Sequence, residues 1–102
     1  MQLIQILLPL VEKQKQDSSN QLYEDIRKEL TEKFGGITTY TRSPATGLWK
    51  EETDKTVKDN VILYEIMAPE LDRNWWQTYK DKLETLFEQD EIIIRTWEIE
   101  VL

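Results

Sequence analysis

Cysteine and histidine are both absent from the 102 residues of this chain. Their absence excludes disulfides, structural zinc, cysteine nucleophiles, histidine-containing triads and haem held by an axial histidine. A metal would have to be held by carboxylates alone, and no cofactor or metal is expected. Glycine is sparse, three residues in all. The pair Gly35–Gly36 lacks the three-glycine spacing and the following helix that a phosphate cradle needs, and it reads as a helix stop. No apolar run approaches the roughly 18 residues that a membrane-spanning helix requires. Positive charge is in the minority: 13 Lys and Arg stand against 20 Asp and Glu, a formal net charge of −7. A polyanion is repelled by such a chain, because sequence-independent nucleic-acid affinity rests on basic side chains that neutralise phosphates. No nucleic-acid and no membrane partner is therefore expected. The apolar N-terminal run has neither a basic leader nor a small-residue cleavage site, so the expected location is cytoplasmic.

What is present is enough for one domain, residues 1–102, with a single two-layer core: 39% of the residues are hydrophobic and 32% charged. Four apolar runs stand out, Leu3–Leu10, Ile37–Tyr40, Val61–Met67 and Ile92–Val101. Each reads as a strand, with Pro9 tolerated only near the end of the first. Between the first two, Ser18 with Gln21 three residues on has the form of a capping box, followed by Leu22, Ile26, Leu30 and Phe34 at helical spacing. Asp72 is the natural N-cap of a second helix, whose Trp75, Trp76, Tyr79, Leu83, Leu86 and Phe87 share one arc. Residues 43–60 carry Pro44, Gly47 and many charges and read as a long loop or an extended hairpin arm.

The order strand, helix, strand, strand, helix, strand gives an α+β, ferredoxin-like βαββαβ fold. It predicts a four-stranded antiparallel sheet in the order 4-1-3-2 with both helices on one face. The strands are apolar on both sides, whereas two helices cover only one. The open face is expected to meet a second copy of the chain in a homodimer, through Leu3, Leu7, Val61, Leu63, Met67 and Ile93, or to bind a small molecule.

Two segments resemble an uncharacterised family of small bacterial proteins of ferredoxin-like fold. One is Phe34-Gly35-Gly36-Ile37-Thr38 leading to Ser43-Pro44-Ala45-Thr46-Gly47-Leu48-Trp49. The other joins Tyr64-Glu65-Ile66-Met67 to Leu71-Asp72-Arg73-Asn74-Trp75-Trp76, and the chain closes on Ile92-Ile93-Ile94-Arg95. The resemblance implies the fold and no reaction. More distantly the topology is similar to that of dimeric α+β barrel proteins, which include small monooxygenases, haem-degrading enzymes and stress-response barrels; fold does not fix function.

Polar residues inside apolar strands are the informative exceptions, since a charge on a strand built for burial must be paired, exposed or functional. By parity Gln5, Glu65 and Arg95 face away from the helices, and a row Arg95, Gln5, Glu65, Arg42 is expected to cross the open face. Glu65 should pair with Arg42 or Arg95. Such a row is either a structural ion-pair network or a site for an anionic or amide ligand. Trp97 shares the parity of Arg95 and is a candidate floor for a cavity there, together with Tyr40. Trp49, an indole in a charged segment, is a candidate lid or dimer clasp. The ligand-binding candidates are thus Gln5, Tyr40, Arg42, Trp49, Glu65, Arg95 and Trp97, and no catalytic residue is identified. Glu51, Glu52 and Asp54 match no calcium loop. Ser43 beside Pro44 is a turn residue with no base to activate it. The expected function is that of a small homodimeric binding or structural domain. The alternatives are a cofactor-independent enzyme of the dimeric α+β barrel type and a small-anion-binding regulatory domain.

Overall fold

A computed structural model describes the backbone of residues 1–10, 16–50 and 56–102, and their side chains apart from those of 16–19, 42–45, 47, 49 and 56–59. The elements are β1 (Gln2–Pro9), α1 (Gln16–Phe34), β2 (Thr38–Lys50), β3 (Thr56–Ala68), α2 (Arg73–Leu86) and β4 (Ile94–Glu98). The strands form one antiparallel sheet in the order β2-β3-β1-β4. This is the expected 4-1-3-2 order read from the other edge.

Alternation decides which side chains meet the helices. On β1, Ile4, Ile6 and Leu8 are buried, and on β3 Ile62, Tyr64, Ile66 and Ala68 match them. They join Tyr23, Ile26 and Leu30 of α1 with Trp76, Tyr79 and Leu83 of α2 in one core. Phe34 bridges the helices, its ring stacked on Trp76 at 5.4 Å and edge-on to Trp75 at 5.5 Å. Two polar groups enter this layer. The Tyr64 hydroxyl accepts from the Arg27 guanidinium at 2.9 Å, while the buried Tyr79 hydroxyl has no hydrogen-bond partner among the described residues.

The helix ends follow local chemistry. Asp72 caps α2, its Oδ1 accepting from the Trp75 amide at 3.1 Å. Gly35 ends α1 at φ 85°, a conformation that favours glycine, with its amide bonded to the Thr31 carbonyl at 2.8 Å. The capping-box reading at Ser18 is corrected: α1 begins at Gln16, which places Ser18 in its first turn. Leu86 is also reassigned, from the apolar arc to the surface, where it is 44% exposed. Trp76 is the core indole and Trp75 the half-buried rim.

The described parts of the 43–60 stretch, residues 43–50 and 56–60, belong to the strands β2 and β3. β2 and β3 pair from Ala45↔Val61 out to Lys50↔Thr56, past the end of β1, which reaches only Pro9↔Val61. The register shifts between Tyr40 and Ala45. Pro44 lies in that irregularity on an edge strand, where a missing N–H breaks no ladder. Strand β4 is shorter than the Ile92–Val101 run, and Ile92 is buried just ahead of it.

Candidate functional site

The face turned away from the helices is built from the opposite parity. Leu3 and Leu7 of β1, Leu63 of β3 and Ile93 are half-buried there, Met67 is 50% exposed and Trp97 43%. Val61 is corrected from an exposed patch member to a buried residue. Across this surface runs one polar rung. Gln5 sits opposite Arg95 of β4 on one side and opposite Glu65 of β3 on the other. The rung ends on Thr38, since β2 pairs Thr38 with Glu65. Arg42 is therefore not the fourth member: it lies four residues further along β2, next to the register shift.

Hydrogen bonds join the rung. Arg95 Nε donates to Gln5 Oε1 at 2.6 Å, and Gln5 Nε2 donates to Glu65 Oε1 at 2.8 Å. The amide has a single sensible orientation here, because a flip would set its NH2 against the guanidinium and its oxygen against the carboxylate. Tyr40, two residues beyond Thr38, donates its hydroxyl to Glu65 Oε2 at 3.2 Å. That bond and the carboxylate's charge hold the Tyr40 phenol above the usual tyrosine range. Among the described residues Glu65 is thus held by two neutral donors, Gln5 and Tyr40, and not by direct pairing with Arg95. The guanidinium reaches it only through the Gln5 amide.

Among the described residues each Glu65 oxygen takes one donor, which leaves lone-pair capacity on the carboxylate to accept from a ligand. It does so into a pocket of about 430 Å³ lined by Leu3, Phe34, Gly36, Ile37, Thr38 and Met67. The pocket exists because β2 starts only opposite Glu65, which leaves the end of β3 without a neighbour on that side. The α1–β2 connection forms the other wall. Gly36 has open space where a Cβ would stand and no positive φ, so backbone is accessible there to whatever fills the pocket.

Of the seven ligand-binding candidates, Glu65 alone among those with described side chains lines this pocket. Tyr40 and Arg95 join it through hydrogen bonds, and Trp97 stands opposite Leu3, one register pair inside the Gln2↔Glu98 end of the β1–β4 ladder. The side chains of Arg42 and Trp49 lie outside the described residues, as do Glu51, Glu52 and Asp54. Sequence reading missed the wall made by Phe34, Gly36 and Ile37. The available signal was a second glycine after the one that ends the helix, a position with no conformational demand for it.

The electrostatic sign of the pocket is negative. Glu65 contributes a full charge, and the C-terminal end of α1 adds partial negative charge from its last carbonyls. The basic residue of that last turn, Lys33, lies over the Trp75 ring at 4.6 Å. Among the described residues no group of carboxylates has metal-ligand geometry, and no helix is long and apolar enough to cross a membrane.

No protein-family model matches the chain, and no curated protein matches it significantly. The fold is similar to that of a solved phage SAM lyase in complex with S-methyl-5'-thioadenosine, with a TM-score of 0.60 and 16% identity over 95% of this chain and 80% of that one. At that identity the likeness is one of α+β fold.

Proposed function

We propose that the open sheet face binds a soft organic cation and that the chain acts on S-adenosylmethionine as a lyase. The observation that carries the reading is the Glu65 carboxylate, set by two neutral donors on the wall of a pocket whose other side chains, Thr38 apart, are apolar. A strongly hydrated ammonium would lose much of its solvation against Leu3, Phe34, Ile37 and Met67. A sulfonium, whose charge is spread over sulfur and carbon, loses less and gains dispersion. The volume lies within the usual range for small-molecule sites. The fold neighbour, a SAM lyase, makes this sulfonium the first to test.

In the cleavage, the bond between sulfur and the amino-acid chain breaks with its electron pair staying on sulfur, and an oxygen of the substrate's own carboxylate bonds to the carbon that sulfur leaves, closing a five-membered lactone. The cation becomes a neutral thioether, S-methyl-5'-thioadenosine, and its attraction to Glu65 disappears. Because Glu65 favours the ground-state cation, its part is binding and placement; acceleration has to come from how the substrate is held. Calorimetric titration with S-adenosylmethionine, and chromatography for the released thioether, test the reading. Binding weaker than millimolar for both compounds overturns it.

A homodimer through the open face belongs to the same proposal. Tyr40, Met67 and Trp97 are each between 43% and 50% exposed on one side of the sheet, and a second copy would cover them and close the pocket to water. Sedimentation equilibrium at micromolar concentration is expected to give a dimer for the wild type. Met67→Asp, which places an unpaired carboxylate in the seam, is expected to give a monomer. A monomeric wild type excludes this assembly.

A further inference from the structure

Arg95 is on the same rung as Glu65 and two strands away from it, yet among the described residues only its Nε is engaged. Its single hydrogen bond among the described residues is the one to Gln5. The side chain is exposed, so the two η nitrogens form an open fork on the ligand side of the sheet. Such a fork matches a carboxylate, which it can hold with two parallel hydrogen bonds.

We infer that Arg95 is a specificity-determining residue that reads a carboxylate on the ligand, so that the site selects molecules carrying a cation and a carboxylate at a fixed separation. The inference rests on the proposed reading of Glu65 as the cation's partner. Gln5 sets the spacing: one amide and two hydrogen bonds separate the Glu65 oxygen from the guanidinium, a gap of about 7 Å. Gln5 itself is buried, 6% exposed, with its Nε2 and Oε1 both engaged. It therefore acts as a rigid spacer that keeps the anion and cation of the protein from collapsing onto each other. An adenosyl group in the pocket beside Phe34 and Ile37 would leave its sulfonium near Glu65. The amino-acid chain would then cross Gln5, with the carboxylate at Arg95.

The test uses three probes against the whole chain: S-adenosylmethionine, its decarboxylated form, and S-methyl-5'-thioadenosine. The variant is Arg95→Gln, whose amide can still donate to Gln5 while the charge and the fork are gone; Arg95→Lys, which keeps the charge without the fork, is the companion. Arg95→Gln is expected to weaken S-adenosylmethionine roughly tenfold or more, and to leave the other two probes within about twofold. Arg95→Lys should recover only part of that loss. An equal loss for all three probes, or no loss for any, overturns the inference while the proposed function stands. A wild type that binds none of the three overturns both.

Discussion

Glu65→Gln is expected to weaken the binding of S-adenosylmethionine by about tenfold to a hundredfold while the fold is retained. The substitution keeps shape and an acceptor oxygen, so Gln5 and Tyr40 can still hydrogen-bond at position 65. What it removes is the charge, and contacts to a charged group contribute about 1.5 to 3 kcal/mol. Affinity for the neutral thioether should stay within about twofold, because no charge is there to lose. A fall shared by both compounds would mean that pocket shape, not electrostatics, carries the site. An independent readout comes from Tyr40. The carboxylate is what holds its phenol above the ordinary range, so in Glu65→Gln ultraviolet titration should show Tyr40 ionising at lower pH than in the wild type. Glu65→Ala is the less informative variant: it strands the buried Gln5 amide and should cost about 1 to 3 kcal/mol of stability.

The elements that were legible in the sequence are those in which local chemistry and burial agree. Asp72 ahead of Trp75 and Trp76 marks the start of α2, Gly35 marks the end of α1, and period-two alternation along Ile4, Ile6 and Leu8 gives β1. Parity alone also placed Gln5, Glu65 and Arg95 on one face. Register is where it failed. Parity permits Thr38, Tyr40 or Arg42 opposite Glu65, and the choice depends on where β2 begins and on the shift after Tyr40, which are properties of the β2–β3 ladder. Thr38 stands opposite Glu65, and the expected direct pair between Glu65 and Arg95 gave way to an amide relay through Gln5. The pocket was illegible for a similar reason: it is the space left where one strand starts later than its neighbour ends. Ser18 misled because a capping-box pattern can occur within the first turn of a helix that starts earlier.

The second large effect concerns two buried phenols. Tyr64 is 0% and Tyr79 3% exposed. Burial raises the pKa of Tyr64, partly opposed by the Arg27 guanidinium. Burial raises that of Tyr79 well above the ordinary range, and the negative charge of Glu29 and the neighbouring Tyr64 push the same way. Below about pH 10 both phenols are protonated in the folded and the unfolded chain, so they give no pH dependence. Above it the unfolded chain releases protons that the folded chain retains, and stability falls as pH rises toward the folded pKa values. Tyr79, whose pKa is raised furthest, contributes a slope of about 1.4 kcal/mol per pH unit in that window, about 2 to 3 kcal/mol by about pH 12, and Tyr64 adds to it in the same direction. That is a large part of the margin of a small domain. Tyr79→Phe isolates one of them. At neutral pH it should be as stable as the wild type, or more stable by about 1 kcal/mol, because the lost hydroxyl is buried with no described partner. Between pH 10 and 12 its advantage should widen by about 1.4 kcal/mol per unit. Urea denaturation across that range provides the measurement. Parallel stability curves for the two proteins would mean that the Tyr79 hydroxyl titrates as an ordinary phenol, and the buried position of Tyr79 between α2 and the sheet would then be wrong.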